Sequence, residues 1–129
     1  MQNYSNEVNP VRNDISNGVK KQILETILKY IPKETCAIFL FGSLAQNKIY
    51  PSSDIDIGIV GNKPFKNSIL VKIKEKLEEA KTLRDIDIVD FLSIQNKDFL
   101  RIALKEVKIW HQTSRSKVYL NNLKRLMAG

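Results

Sequence analysis

Hydrophobic residues recur every three or four positions over the first clear element of the chain. The apolar stripe comprises Ile15, Val19, Ile23, Leu24, Ile27, Leu28 and Ile31. This spacing predicts an amphipathic helix that stops before Pro32, with Asn13 or Asp14 as its N-cap. The polar, asparagine-rich residues 1–13 predict a flexible lead-in.

Three short segments have the patterns typical of β-strands. Residues 35–41 form an apolar and β-branched run that ends at Gly42, which predicts a buried strand. Residues 54–60 alternate strictly, so isoleucines lie on one face and two carboxylates on the other. Residues 86–92 predict a third strand. A short helix is expected over 43–49, between the first two strands.

The remaining apolar residues have helical spacing. An amphipathic helix is predicted over about residues 65–82. Another begins near a cap at Asn96 or Asp98, and its predicted apolar positions are Phe99, Ile102, Ala103 and Val107. A last basic amphipathic helix is predicted from Ser114, with apolar positions Val118, Leu120, Leu123, Leu126 and Met127.

The element order predicts an α/β (α+β) fold in which helices pack on a short mixed sheet of three strands. We expect one domain over 14–112, and a basic helix over 113–129 as a separate tail. The apolar residues of that tail would be poorly covered in a domain this small, which favours a protein-binding use.

Composition narrows the class of protein. The 129 residues are 43% hydrophobic and 27% charged, as in soluble globular proteins. The longest apolar run is too short to cross a bilayer, and no secretory signal is visible, so a cytoplasmic location without membrane contact is expected. The lone Cys36 lies in an apolar run and is predicted to be a core residue.

The net charge of +7 is concentrated at one end of the chain. From Arg101 onwards there are seven basic residues and one acid, Glu106. A solvated helix face or a docking surface for an acidic partner explains this segment more simply than nucleic-acid binding. The lone His111 is predicted to be structural, since no cysteine or serine partner is in view.

The candidate chemistry lies in Gly42-Ser43 followed by Asp54 and Asp56. Strand residues two apart share a face, about 7 Å apart, and two carboxylates there repel unless cations lie between them. Mg²⁺ takes oxygen ligands, and two such ions can clamp the oxygens of a phosphoryl displacement. Gly42 lets the backbone approach a phosphate, and Ser43 adds a hydroxyl and an N–H donor.

A two-ion site needs a third acid, and the third strand offers Asp87 on the face opposite its isoleucines. Asp85 shares that face and is a reserve ligand, whereas Asp90 lies on the other face and is expected to be a surface or capping residue. The alternative interpretation is that Asp54 and Asp56 are solvated acids on the outer face of an edge strand.

Phe-Gly-Ser-Leu-Ala at 41–45, Ser-Asp-Ile-Asp-Ile at 53–57 and Ile-Asp-Ile-Val-Asp at 86–90 resemble the polymerase-β-like nucleotidyltransferase superfamily. The small size resembles its minimal nucleotidyltransferases. The resemblance covers about residues 20–110 and implies the nucleotidyltransferase fold. It also implies that the three acids bind two Mg²⁺ ions, and that the Gly-Ser pair holds the phosphates of a nucleoside triphosphate.

The chain departs from that pattern after the Gly-Ser pair. Many members have basic residues and a glycine there, where this chain has Leu44, Gln46 and Asn47. Lys48 is the candidate substitute for the missing phosphate contact. The chain also lacks a large second domain, so an acceptor must come from a partner.

The family further implies what that partner is. Minimal nucleotidyltransferases are typically paired with a small helical toxin of the HEPN class, and some transfer AMP onto a toxin tyrosine. The first hypothesis is therefore transfer of AMP from ATP to such a toxin by an antitoxin enzyme. A second is a catalytically weak module that neutralises the toxin by covering it, and a third, weaker one is a DNA-binding autoregulator. The sequence leaves homo- and hetero-oligomers open.

Overall fold

Four helices and four strands occupy the described part of the chain, which is residues 15–47, 54–80, 82 and 84–128 of a computed structural model. In chain order they are α1 (Asn17–Tyr30), β1 (Ala37–Phe41), β2 (Ile55–Val60), α2 (Asn67–Leu77), β3 (Ile86–Asp90), α3 (Lys97–Ala103), β4 (Lys108–His111) and α4 (Lys117–Ala128). The predicted lead-in over 1–13 lies outside the described residues. None of the described helices is both long and apolar enough to span a bilayer.

The strands form one mixed sheet in the order β3-β2-β1-β4. β1 pairs antiparallel with β2 and β4, and β2 pairs parallel with β3. The predicted class is confirmed, but the count of three strands was wrong because β4 was missed. β4 has only four residues, of which Lys108 and Ile109 are exposed, so no buried alternation marks it.

Both faces of the sheet are covered, but by different helices. On the first face the isoleucines of β2 pack with α1 and α2 around Ile23, Ile27 and Ile73. On the second face α3 and α4 pack with Phe39 and Phe91. These helices cover only part of that face, because Asp56 and Asp87 occupy the rest.

Gly58 allows the aromatic core of the second face to lie flat on the sheet. A Cβ at this position would meet the ring of Phe39 and would lie 2.8 Å from Cε1 of Phe91. Such a distance is too short for a real side chain, so the glycine is required by packing.

Several element ends and faces differ from the predictions. Ser16, rather than Asn13 or Asp14, caps α1, since its hydroxyl accepts from the Val19 N–H at 3.2 Å. α2 is shorter than the predicted 65–82 helix. In α4, Leu120 and Leu123 are buried against the sheet rather than poorly covered, whereas Leu126 is exposed as predicted.

α3 is rotated relative to the predicted face. Leu100, Ala103 and Leu104 are buried, whereas Phe99 is 41% and Ile102 60% exposed. The helix start is as predicted, because the Asn96 side chain accepts from the Phe99 N–H at 3.1 Å. Of the predicted apolar positions, Phe99 and Ile102 were therefore wrong, whereas Ala103 is buried and Val107 is partly buried.

Candidate active site

The strand register brings the predicted acids together. Asp56 lies opposite Phe41 in the β1–β2 pair and opposite Asp87 in the β2–β3 pair. Because neighbouring strands are about 4.8 Å apart, Asp56 and Asp87 are adjacent side chains on one face. Asp54 lies immediately before β2 and shares the face of Asp56. Asp54 and Asp87 are exposed, and Asp56 is half-buried.

β2 is an inner strand, between β3 and β1. The alternative interpretation places Asp54 and Asp56 on the outer face of an edge strand. It is wrong in this respect, because β2 is not an edge strand. A half-buried carboxylate on an inner strand is costly unless a ligand compensates its charge. This position points to function rather than to a solvated surface.

Gly42 places the backbone directly against the Asp56 carboxylate. Its φ of 77° lies in the left-handed region, which favours glycine. A Cβ here would meet Oδ2 of Asp56 and would lie 3.2 Å from its Cγ. The glycine thus serves both the turn that follows β1 and the close approach to the acid.

Residues 43–47, the described part of the predicted 43–49 helix, form a tight turn instead. The Gly42 carbonyl accepts from the N–H groups of Ala45 and Gln46, at 3.1 and 3.2 Å. Leu44 and Ala45 are buried and anchor the turn to the core. The N–H groups at the start of such a turn have no partner one turn earlier, so they can donate to an anion. Lys48 lies outside the described residues.

The surroundings of Asp56 disfavour its charged form. Burial, together with the negative charges of Asp87 and Asp54, raises the pKa of Asp56 from 3.8 to about 6. Three carboxylates that repel one another on a single face form an electrostatic environment that favours a cation.

A model of the polymerase beta nucleotidyltransferase family matches residues 21–116. The chain belongs to this family. The matched range includes the Gly42 turn and all three acids, so the family's fold is present over most of this nucleotidyltransferase. A comparison with curated protein sequences finds no match.

Solved structures of similar fold come from toxin–antitoxin complexes. A chain in the crystal structure of a toxin-antitoxin with AMP-PNP is 23% identical, with a TM-score of 0.67, and the match covers 84% of this nucleotidyltransferase and 83% of that chain. A chain from the complex of the tri-AMPylated Shewanella oneidensis HEPN toxin with MNT antitoxin is 20% identical, with a TM-score of 0.65 and coverage of 88% and 84%. A chain from an MntA-HepT complex is also 20% identical, with a TM-score of 0.63 and coverage of 88% and 87%.

The acids of the nucleotidyltransferase fit Mg²⁺ by donor chemistry. Within the described residues no three His, Cys, Asp or Glu side chains are arranged as a ready metal-binding group. Asp54, Asp56 and Asp87 nevertheless place three carboxylates on one face, and the charges of Asp87 and Asp54 add to the effect of burial on the pKa of Asp56. Carboxylate oxygens beside a phosphate site are the ligands that Mg²⁺ uses. The metal would draw together side chains that repel one another without it.

Asp56→Asn should stabilise the metal-free nucleotidyltransferase, and the gain should grow with pH. The folded-state pKa of Asp56, about 6, lies above the ordinary 3.8. As the pH rises from about 4 to above 6, ionisation of Asp56 therefore lowers the free energy of unfolding. Asparagine does not ionise, so the variant does not lose this stability. After allowance for partial exposure we expect a gain of about 1–2 kcal/mol at pH 7 relative to pH 4.

The measurement is urea unfolding in EDTA at pH 4 to 8. Glu79→Gln is the matched control, because it removes an exposed acid that pairs with Lys76, at 3.6 Å, and lies away from the three acids. A pH-independent difference between Asp56→Asn and the wild type would contradict the prediction.

The other predicted residues have structural surroundings. Asp90 was expected at the surface or as a cap; it is a cap, but it is buried. Its carboxylate accepts from the N–H of Phe65 at 2.8 Å and of Leu92 at 3.1 Å. Asp85 is exposed, and its carbonyl accepts from the Ile55 N–H at 2.8 Å.

The predictions for the lone cysteine and histidine agree with the structure. Cys36 is fully buried in the core, and burial raises the pKa of its thiol to about 11. A thiol with so high a pKa is inert at neutral pH. Nε2 of His111 lies 2.8 Å from the Lys33 carbonyl, a contact that ties β4 to the segment before β1.

Two residues near the site were missed or misplaced by sequence reasoning. Nζ of Lys108, on the unpredicted β4, donates to Oδ1 of Asn47 at 3.1 Å and so reaches the end of the Gly42 turn. Phe99 was predicted to be buried, but its ring is exposed and lies 6.2 Å from that of Phe41, which is opposite Asp56. The pattern of polar and apolar residues along the chain predicts neither the contact of Lys108 with Asn47 nor that of Phe99 with Phe41.

Proposed function

We propose that this chain is a Mg²⁺-dependent nucleotidyltransferase that transfers AMP from ATP to a tyrosine of a helical HEPN-class toxin, and thereby acts as a cytoplasmic antitoxin. The observation that carries the proposal is the pairing of Asp56 with Asp87 beside the Gly42 turn. The solved complexes support the partner and the donor, since they include AMP-PNP in one case and a tri-AMPylated HEPN toxin in another.

Each residue has a role in this proposal. Asp54 and Asp56 would hold both ions, and Asp87 would hold one. The N–H groups at Gly42 and Ser43 would hold the phosphates of ATP, and Lys48 is a further candidate for that contact. Mg²⁺, when bound, would neutralise charge on the phosphates and on the departing pyrophosphate.

The reaction is an in-line displacement at the α-phosphorus. The tyrosine oxygen of the acceptor forms a bond to this phosphorus as the bond to the bridging oxygen of the β-phosphate breaks. Pyrophosphate leaves, and the phenolic proton passes to Asp87 as the general base. The exposure of Asp87 is consistent with access by a residue of another protein.

The test combines the purified chain, ATP and Mg²⁺ with the helical protein encoded next to it. We expect intact-protein mass spectrometry to show added AMP on that partner, and peptide mapping to place it on tyrosine. Absence of any adduct, when the protein is folded and binds ATP, would contradict the proposal.

A second candidate is a nucleotide-binding module that neutralises the toxin by covering it. The observation that favours it is the absence of basic residues between Ser43 and Asn47, where Leu44 is instead buried. The folded double variant Asp54→Asn, Asp56→Asn distinguishes the two functions. Retained neutralisation of the toxin supports the covering module, and lost neutralisation supports the enzyme.

A further inference from the structure

A chain of aromatic contacts leads from the core to the rim of the active site. Phe91 is fully buried, Phe41 is 6% exposed and Phe99 is 41% exposed. The ring centroids of Phe41 and Phe91 are 4.9 Å apart. The ring centroid of Phe99 lies 6.2 Å from that of Phe41 and 6.3 Å from that of Phe91. The cluster thus ends in a ring that solvent reaches.

This exposed ring is related to the acids through Phe41. Phe41 lies opposite Asp56 in the β1–β2 pair and is followed directly by Gly42. The ring centroid of Phe41 also lies 6.2 Å from that of Phe99, so Phe41 is a neighbour of both Phe99 and Asp56. A nucleotide bound with its phosphates at the Gly42 turn must place its base on a neighbouring surface, and Phe99 is an exposed aromatic residue beside Phe41, which directly precedes that turn.

Packing of α3 does not require Phe99 to face outwards. Leu100, Ala103 and Leu104 already anchor the helix on the sheet. The Phe99 ring meets that of Phe41 edge to face, at an interplanar angle of 86°, so the two rings do not stack. The Asn96 side chain accepts a hydrogen bond from the N–H of Phe99, which fixes the backbone of Phe99 at the start of α3.

We propose that Phe99 is the platform on which the nucleobase of the donor packs. The proposal rests on the proposed function, because it assigns a further residue to the same nucleotide site. An aromatic face binds a base by stacking, whereas the acids and the Gly42 turn bind metal and phosphate. Phe99 is thus expected to contribute to the affinity for ATP but not to that for its phosphate chain alone.

The test compares two ligands by calorimetry in the presence of Mg²⁺: ATP and inorganic tripolyphosphate. The variants are Phe99→Ala, Phe99→Leu, which keeps apolar volume without a ring, and Phe99→Trp, which keeps a ring. Ile102→Ala is the matched control, because Ile102 is an exposed apolar residue one turn further along α3. Thermal unfolding confirms that each variant is folded.

We expect Phe99→Ala and Phe99→Leu to weaken ATP binding by about 5- to 100-fold and to leave tripolyphosphate binding within about twofold. Phe99→Trp and Ile102→Ala should bind ATP as the wild type does. Unchanged ATP affinity in both ring-less variants, or an equal loss for both ligands, would overturn the proposal.

Two further outcomes separate this inference from the proposed function. If the wild type binds neither ligand, the proposed function fails, and this inference fails with it. If ring-less variants bind ATP normally but no longer modify the partner, the ring contacts the acceptor. The proposed function then stands, and the nucleobase platform is refuted.

Discussion

Asp56→Asn and Asp87→Asn are each expected to lower the rate of AMP transfer by about 10³-fold. Asparagine keeps the size of the side chain but removes the charge that would hold Mg²⁺. The two residues face each other across the β2–β3 pair, so either change leaves an incomplete ligand set. The measurement is single-turnover transfer of labelled AMP at saturating ATP.

Glu79→Gln is the control, since Glu79 is exposed after α2 and pairs with Lys76. Its transfer rate should equal that of the wild type. Asp56→Asn must also be at least as stable as the wild type at neutral pH, because it removes a carboxylate whose pKa is raised by burial and by the charges of Asp87 and Asp54. Near-normal transfer by either asparagine variant would show that the acids are not the metal ligands.

Gly42→Ala is expected to reduce transfer by about 10²-fold and to destabilise the fold by about 1–3 kcal/mol. The residue has a φ of 77°, and an added Cβ would meet Oδ2 of Asp56. The carboxylate must therefore move, or the turn must open. The measurements are the transfer rate per folded molecule and the free energy of unfolding in urea.

Gly61→Ala separates the two effects. A Cβ at Gly61 would lie 2.8 Å from Cζ of Phe65 and 2.8 Å from the Thr35 carbonyl oxygen, at the end of β2 remote from the acids. This variant should lose stability yet keep its transfer rate per folded molecule. If Gly42→Ala behaves in the same way, the contact with Asp56 is not needed for catalysis.

The sequence predicted the elements that have strong local patterns. α1 has an apolar residue every four positions, and β2 alternates without exception, so their types and nearly all their bounds follow from periodicity. The juxtaposition of Asp56 and Asp87 also follows from alternation, once the two strands are neighbours. The pairing itself is a tertiary property that no single segment encodes.

The sequence failed where local patterns were ambiguous. α3 has seven residues and two apolar stripes, one through Phe99 and Ile102 and one through Leu100 and Ala103. Only contacts with the sheet decide which stripe is buried. β4 has two exposed residues and two half-buried ones, so its membership of the sheet depends on pairing with β1. The burial of Asp90 could not be predicted from the sequence, because its carboxylate accepts hydrogen bonds from distant residues such as Phe65, 25 positions away.

The strand order has a consequence for self-association. In the described part of the chain β3 forms one edge of the sheet, and an edge strand exposes backbone groups that can pair with another copy. The exposed carboxylates of Asp85 and Asp87 lie on this strand or directly before it, where their charge opposes such pairing. The side chain of Asp87 would therefore serve both the proposed chemistry and the solubility of the protein. A substitution that removes its charge is expected to weaken both.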